Sequence, residues 1–268
     1  MMRTAAFGVV LWSILTLSFA PSTERDYENL NAILWVQTSV EYQASTVQTY
    51  RLAAEALVKG LRDQHWTAAL EQTGDFDKLP PAVILDLDET VLDNSAFVAS
   101  LMLSGEHYSD AAWTKWMNEK RPGLVPGAMD FLQFAHSHGV APLYITDRVC
   151  DSANESDSTV QVLRSLGVPL DPVEGRLFCS KDGRDHDKTE RRRLCAGKFR
   201  ILLLLGDQLG DFLQIPKGST DLRSRETLFV AHQSLWGERW FQLPNPMYGS
   251  WEGAVGYGIP EKLSKLRQ

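Results

Sequence analysis

The feature that most constrains this chain is a set of short, almost unbroken apolar runs, each followed at once by polar residues. Ala82-Val83-Ile84-Leu85, Ala141-Pro142-Leu143-Tyr144-Ile145, Arg176-Leu177-Phe178-Cys179 and Ile201-Leu202-Leu203-Leu204-Leu205 have this form, and Thr227-Leu228-Phe229-Val230 repeats it later. Runs of this length, apolar on both faces, read as strands of a parallel sheet buried between helices. Helical periodicity over 158–166 and a further helix expected over 188–197 supply crossovers, so the fold class is α/β with a doubly wound parallel sheet. Ahead of the sheet, Ile33, Val36, Val40, Ala44, Val47, Tyr50, Ala54, Leu57 and Leu61 recur at helical spacing. They predict one long or two consecutive amphipathic helices in a lead-in over 27–62 that covers one side of the core. Residues 96–124 form a small helical insertion between the first two strands, too short for a full cap domain. Residues 237–258, rich in Gly, Pro and aromatics, read as a segment wrapping over a sheet edge.

A chain of 268 residues, 44% of them hydrophobic, can bury one substantial core, so residues 21–268 read as a single domain with its core over 80–268. The net charge of -7 argues against nucleic acid as a partner. It leaves room for a small phosphorylated substrate, because a metal ion and a few local cations can reverse the field inside a cleft. Arg3, an apolar stretch over 5–17 and Ser18-Phe19-Ala20 read as a signal peptide over 1–20. The stretch is short for a membrane span. The expected location is therefore periplasmic or secreted, without a stable membrane anchor after cleavage; an uncleaved N-terminal anchor is the alternative. Three cysteines are an awkward number for an oxidising compartment. Cys179 and Cys195 can pair around a short excursion and leave Cys150 free, or all three can be small buried hydrophobes. Their spacing fits no zinc pattern. His136 and His138, just before a glycine, read as capping or surface residues at a helix end.

In parallel sheets, ligands bind beyond the carboxyl ends of the strands. There the first run gives Asp86-Leu87-Asp88-Glu89-Thr90, the second Thr146-Asp147-Arg148, the third a basic segment from Lys181 to Lys188, and the fourth Gly206-Asp207-Gln208-Leu209-Gly210-Asp211. The aspartate pair alone would fit a capped turn with two solvated carboxylates. Together the four segments hold what phosphoryl transfer needs: a carboxylate nucleophile, an acid/base, a neutral donor, a cation and carboxylates for a hard metal. Magnesium, which takes few protein carboxylates and keeps several waters, suits Asp86 with Asp207.

These motifs resemble the haloacid dehalogenase (HAD) superfamily and, within it, the bacterial class C acid phosphatase and lipoprotein e(P4) 5'-nucleotidase family. Leu34-Trp35-Val36-Gln37-Thr38-Ser39-Val40-Glu41-Tyr42, Asp93-Asn94-Ser95, Trp113-Thr114-Lys115-Trp116, Pro126-Gly127-Ala128 and the segment from Pro244 to Gly253 are similar to that family's further landmarks. The resemblance implies that Asp86 is the nucleophile and Asp88 the acid/base, which also offers its backbone carbonyl to Mg2+. It gives Thr146 and Lys188 to the phosphoryl group, with Lys181 in reserve for Lys188. It makes Asp207 a metal ligand, and Asp211 a residue that orients the ligand shell or reaches the metal through water. Trp113 and Tyr248 match the rings that sandwich a nucleobase, with core packing as the alternative reading; Trp116, Trp35, Trp236 and Trp240 read as core. Arg148 is read as either a phosphate contact or an ion-pair partner. The implied activity is a secreted, Mg2+-dependent acid phosphatase with an acidic optimum. It would hydrolyse small phosphomonoesters, nucleoside 5'-monophosphates included, through an aspartyl-phosphate, and a homodimer is open. Transfer to an alcohol acceptor and a catalytically silent binding or storage protein on the same fold remain the alternatives. Two departures stand out: no lipobox cysteine is present, and the stretch around 183–186 is longer than the family pattern.

Overall fold

The computed structural model describes residues 29–119, 122–183, 186–216 and 221–266. The signal peptide expected over 1–20 lies outside them. The lead-in forms α1 (Leu30–Thr38) and α2 (Val40–Arg62), divided at Ser39, whose backbone is extended and whose hydroxyl accepts from the Tyr42 amide to start α2. Next come β1 (Pro81–Leu85), β2 (Leu92–Asp93), α3 (Ser95–Ser104), α4 (Asp110–Glu119), β3 (Gly123–Leu124) and α5 (Ala128–Ser137). The alternation then continues through β4 (Ala141–Val149), α6 (Ser158–Ser165), β5 (Leu177–Ser180), α7 (Thr189–Ala196) and β6 (Arg200–Gly206). The chain finishes with α8 (Leu222–Ala231), β7 (Trp240–Gln242), α9 (Ser250–Val255) and α10 (Ile259–Leu263).

The main sheet has strand order β5-β4-β1-β6-β7, and its pairings are all parallel. Alternate residues of each strand point to opposite faces. Val83, Leu85, Tyr144, Leu203 and Leu205 join Tyr50, Leu57, Phe131 and Leu163 in the larger core. Ala82, Ile84, Leu143, Ile145, Ile201 and Leu204 pack with Cys195, Phe212 and Trp240 on the other face. Helices therefore cover both faces, as the unbroken apolar runs require. A third, smaller cluster joins Ile33, Val36, Tyr42 and Met247, with Tyr248 and Trp35 packed against it.

Three local expectations change. Thr227-Leu228-Phe229-Val230 is helical, in α8, where the Asp221 side chain caps the Ser224 amide. A run of four apolar residues does not separate strand from helix by period. The fifth strand is instead β7, three residues at the edge of the sheet inside the segment read as a wrap. The cysteine pair is Cys150–Cys179, with Cα atoms 5.5 Å apart, and not Cys179–Cys195. β4 and β5 are neighbours, with Val149 opposite Ser180, which brings Cys150 beside Cys179. Cys195 lies on α7, turned into the opposite core, where burial pushes its thiol up to about 12. Among the described residues no helix is long and apolar enough to cross a membrane. His136 and His138 end α5 and are exposed.

Candidate active site

β1 lies at the centre, with the chain running outward through β4 on one side and through β6 on the other. The switch point where ligands bind in such sheets is thus at the ends of β1 and β6. Asp86 extends the β1–β6 ladder by one rung, its amide donating to the Leu205 carbonyl (3.0 Å). Beyond it the chain folds tightly: the Val91 and Leu92 amides both reach the Leu87 carbonyl, and Glu89 takes a left-handed backbone with φ 56°. The Glu89 carboxyl is buried and accepts from the Asn94 amide at 2.8 Å. Burial, with Asp88 beside it, pushes that carboxyl well above its ordinary range. From α2, the Tyr50 hydroxyl reaches across to the Thr90 carbonyl.

Asp207 follows β6 directly, and Asp211 ends a single 3-10 turn, Leu209–Asp211. Carboxylate oxygens of Asp86, Asp207 and Asp211 lie within 4.8 Å of one another. Lys188, at the N-cap of α7, donates to Asp86 Oδ1 at 2.5 Å and to Asp211 Oδ1 at 2.6 Å. All four side chains are buried or nearly so. Arg192, fully buried, fastens α7 to the 3-10 turn through the Gly210 and Asp211 carbonyls, and pairs with Glu71 at 2.8 Å. Burial pushes Asp86 well up, Lys188 opposes this, and Asp211, Asp207 and Asp88 add to it. Burial and Asp211 do the same to Asp207. Lys188 is itself raised, because Asp211 and Asp86 outweigh its desolvation.

Three carboxylates facing one ammonium leave net negative charge in a buried space, which a small hard cation would neutralise. Asp211 is committed elsewhere: Lys188 takes one oxygen and the Gln208 amide the other, at 2.8 Å. Asn245 Nδ2 holds Asp207 Oδ2 at 2.8 Å, and Gln242 Nε2 holds the Asp207 carbonyl. Asp86 Oδ2 and Asp207 Oδ1 accept no hydrogen bond among the described residues. An oxygen-rich donor set with two uncommitted carboxylate oxygens fits Mg2+.

Thr146 lies inside β4, fully buried, and its Oγ1 accepts from the Arg148 amide at 3.2 Å, leaving its own proton free to donate. Arg191 holds that strand end through the Thr146 carbonyl and Asp147. Burial alone would raise Asp147, but Lys188, His186 and Arg191 outweigh it and hold its carboxyl below the usual range. Asp88 pairs with Arg148, with Nη2 2.5 Å from Oδ1. Arg148 is thus an ion-pair partner. Trp113, half-buried on α4, faces the Arg148 guanidinium at 4.9 Å, while Tyr248 packs beside α1 and α3. No ring contact joins Trp113 to Tyr248 among the described residues. Trp116 and Trp240 are buried, and Trp35 and Trp236 are half-buried against their clusters. The fold brings Asp86, Lys188, Asp207 and Asp211 together, with Thr146 on the adjoining strand; among the described residues no hydrogen bond or ion pair joins Lys181 to the cluster. Sequence reasoning missed the supports: Glu89, Gln242, Asn245 and Arg192. Glu89 and Asn245 carried a signal, lying inside the Asp86-to-Thr90 segment and the Pro244-Asn245-Pro246 landmark.

A parallel α/β sheet that gathers a buried lysine, a hydroxyl and a carboxylate cluster at its switch point defines an enzyme of phosphoryl transfer. The family model of the HAD superfamily, subfamily IIIB (Acid phosphatase), matches residues 13–251. Two solved structures are similar to this one, both of the class C acid phosphatase from Bacillus anthracis, the second with tungstate bound. Each is 30% identical, covers 91% of this chain and 98% of that chain, and superposes with a TM-score of 0.74. The chain belongs to the HAD superfamily, subfamily IIIB, and is a phosphomonoester hydrolase of the class C acid phosphatase type.

Proposed function

We propose that this acid phosphatase is Mg2+-dependent, acts on nucleoside 5'-monophosphates as well as simpler phosphomonoesters, and works through a phosphoryl group carried on Asp86, in the periplasm or outside the cell. The observation that carries this reading is the Asp86 carboxylate: one oxygen is held by Lys188 and the other is uncommitted, at the end of the central strand. The Asp86 carboxylate attacks phosphorus through one of its oxygens while the ester P–O bond breaks and its electron pair leaves on the ester oxygen. Asp88 gives that oxygen a proton. Water then attacks the aspartyl phosphate, loses a proton to Asp88 and returns Asp86 to a carboxylate. Lys188 and the Thr146 hydroxyl hold the equatorial oxygens as charge redistributes. Mg2+, held by Asp86 and Asp207 with the Asp88 carbonyl and Asp211 behind, would neutralise phosphate charge and lower the proton affinity of Asp86.

Trp113 against the Arg148 guanidinium, and Tyr248, support a nucleobase at the leaving-group side, where stacking contributes about 1–3 kcal/mol. The short insertion α3–α4 leaves the site open to varied esters. The test is phosphate release by residues 21–268 from 5'-nucleotides and 4-nitrophenyl phosphate at mildly acidic pH, with Mg2+ and then EDTA. Release from both, abolished by EDTA and declining into alkaline pH, is expected. Metal-independent release, or release from the aryl ester alone, contradicts the corresponding part.

A further inference from the structure

The antiparallel pair β2–β3 returns the insertion to the point where it left, with Leu92 opposite Leu124 and Asp93 opposite Gly123. α4 is thereby hung beside the loop that carries Asp88. One side chain joins the two. Arg148 is almost fully buried, its side chain 4% exposed, yet it belongs to neither the insertion nor the acidic cluster. On one side its Nε donates to both Asp88 oxygens at 3.0 Å and its Nη2 to Oδ1 at 2.5 Å. On the other, its guanidinium carbon lies 4.9 Å from the Trp113 ring centroid, and Nη1 lies 3.6 Å from the Met117 sulfur. Both of these residues are on α4.

The fork is lopsided. Asp88 Oδ1 receives Nε, Nη2 and also Asn94 Nδ2 at 2.7 Å, whereas Oδ2 receives Nε alone. An oxygen with three donors is poorly placed to carry a proton; the other is free to hold one and pass it on. The Asp88 side chain keeps 25% exposure, so it is not sealed off by the ion pair.

We propose that Arg148 is a positioning residue for the acid/base step: it pins Asp88 Oδ1, presents Oδ2 to the leaving oxygen, and ties that geometry to Trp113. This rests on Asp88 being the proton donor. In the step concerned, the Asp86–phosphorus bond forms, the ester P–O bond breaks, and the proton on Asp88 Oδ2 moves to the departing oxygen. A donor held in place matters most where the departing oxygen is basic. Arg148 therefore sets how well the enzyme handles poor leaving groups.

The experiment compares kcat/KM for phenyl phosphate and 4-nitrophenyl phosphate, which share ring and stacking but differ in leaving-group basicity. This ratio reports the steps through phosphoryl transfer to Asp86 and is blind to the later hydrolysis. Arg148→Lys keeps the charge and loses the planar fork. Its expected effect is a loss on phenyl phosphate at least about tenfold larger than on 4-nitrophenyl phosphate, part of the ~10²–10⁴-fold that a positioned acid contributes. Asp88→Asn is the control and should be at least as selective. Equal losses on the two esters for Arg148→Lys, beside a selective Asp88→Asn, overturn the proposal and leave the acid/base reading intact. An unselective Asp88→Asn overturns the acid/base reading and the proposal with it. If Arg148→Lys fails to fold by circular dichroism, Trp113→Leu decides, since it removes the ring against the guanidinium and leaves the fork. Selective loss on phenyl phosphate supports the link, and parallel losses refute it.

Discussion

Gly206 closes β6, and Asp211 folds back over it so closely that a Cβ there would lie 2.3 Å from Asp211 Oδ2. Its role is one of space: Asp211 can lean on the strand end, accept the Gln208 amide and still hold Lys188 against Asp86. Gly206→Ala must push Asp211 away, with an expected loss of about 1–3 kcal/mol from overpacking and a large fall in phosphate release. Thermal melts and turnover check this together; an unaltered variant in both would contradict the account. At this scale the chemistry was more legible than its supports. Asp86 and Asp207 each follow an apolar run, and the rule for parallel sheets placed them together; Lys188 came from the family resemblance, since it is Lys181 that directly follows the third run. Gln242 and Asn245 come from an edge segment without a period, and they reach Asp207 only through tertiary folding. Arg148 was open between phosphate and carboxylate because sequence gives no direction to a side chain.

Elements explain why those residues hold still. α2 lies against the sheet and sends the Tyr50 hydroxyl to the Thr90 carbonyl, bracing the loop between Asp88 and β2. Tyr50→Phe removes one buried hydrogen bond. About 0.5–1.5 kcal/mol of stability is expected to go with it, together with a fall in kcat; a denaturant titration and steady-state rates measure the two. Cys150–Cys179 ties the end of β4, just past Thr146 and Arg148, to β5 across a separation of 29 residues. Loop closure of that size contributes roughly 3–4 kcal/mol in the chain-entropy view. Cys150→Ser should lower the melting temperature accordingly, and the unmutated protein should lose the same amount on reduction. A reduced protein as stable as the oxidised one would contradict the pairing. Helical period located α1, α2 and α6 in advance, whereas α7, whose buried face includes Arg192, was expected from its place between two strands. The run at 227–230 misled because α8 buries no residue fully, so its apolar residues trace no inward stripe. The disulfide was misread because strand order, and not sequence distance, decides which cysteines meet.

For the whole molecule the governing quantity is charge concentrated where the sheet divides. The chain carries -7 overall, and Asp86, Asp207 and Asp211 crowd around one ammonium. Asp86 and Asp207 bind protons more tightly in the folded protein than in the unfolded chain. Without metal, the fold therefore loses stability as pH rises from the ordinary carboxylate range toward neutrality. A divalent cation bound to the ionised form would offset that loss, by about 2.7 kcal/mol when present at a hundred times its dissociation constant. The rise in melting temperature on adding Mg2+ should accordingly be larger near neutral pH than at about pH 5. A rise that is equal or larger on the acid side would contradict a carboxylate metal centre.

The most direct test of the central claim is to quench the turning-over enzyme in acid and search its peptides for a phosphoryl group. The account predicts one phosphoryl group on the peptide containing Asp86, discharged by hydroxylamine as an acyl phosphate and missing from Asp86→Asn, which should be folded and inactive. A phosphoryl group on another residue, or an Asp86→Asn variant that still turns over, would show that Asp86 is not the nucleophile.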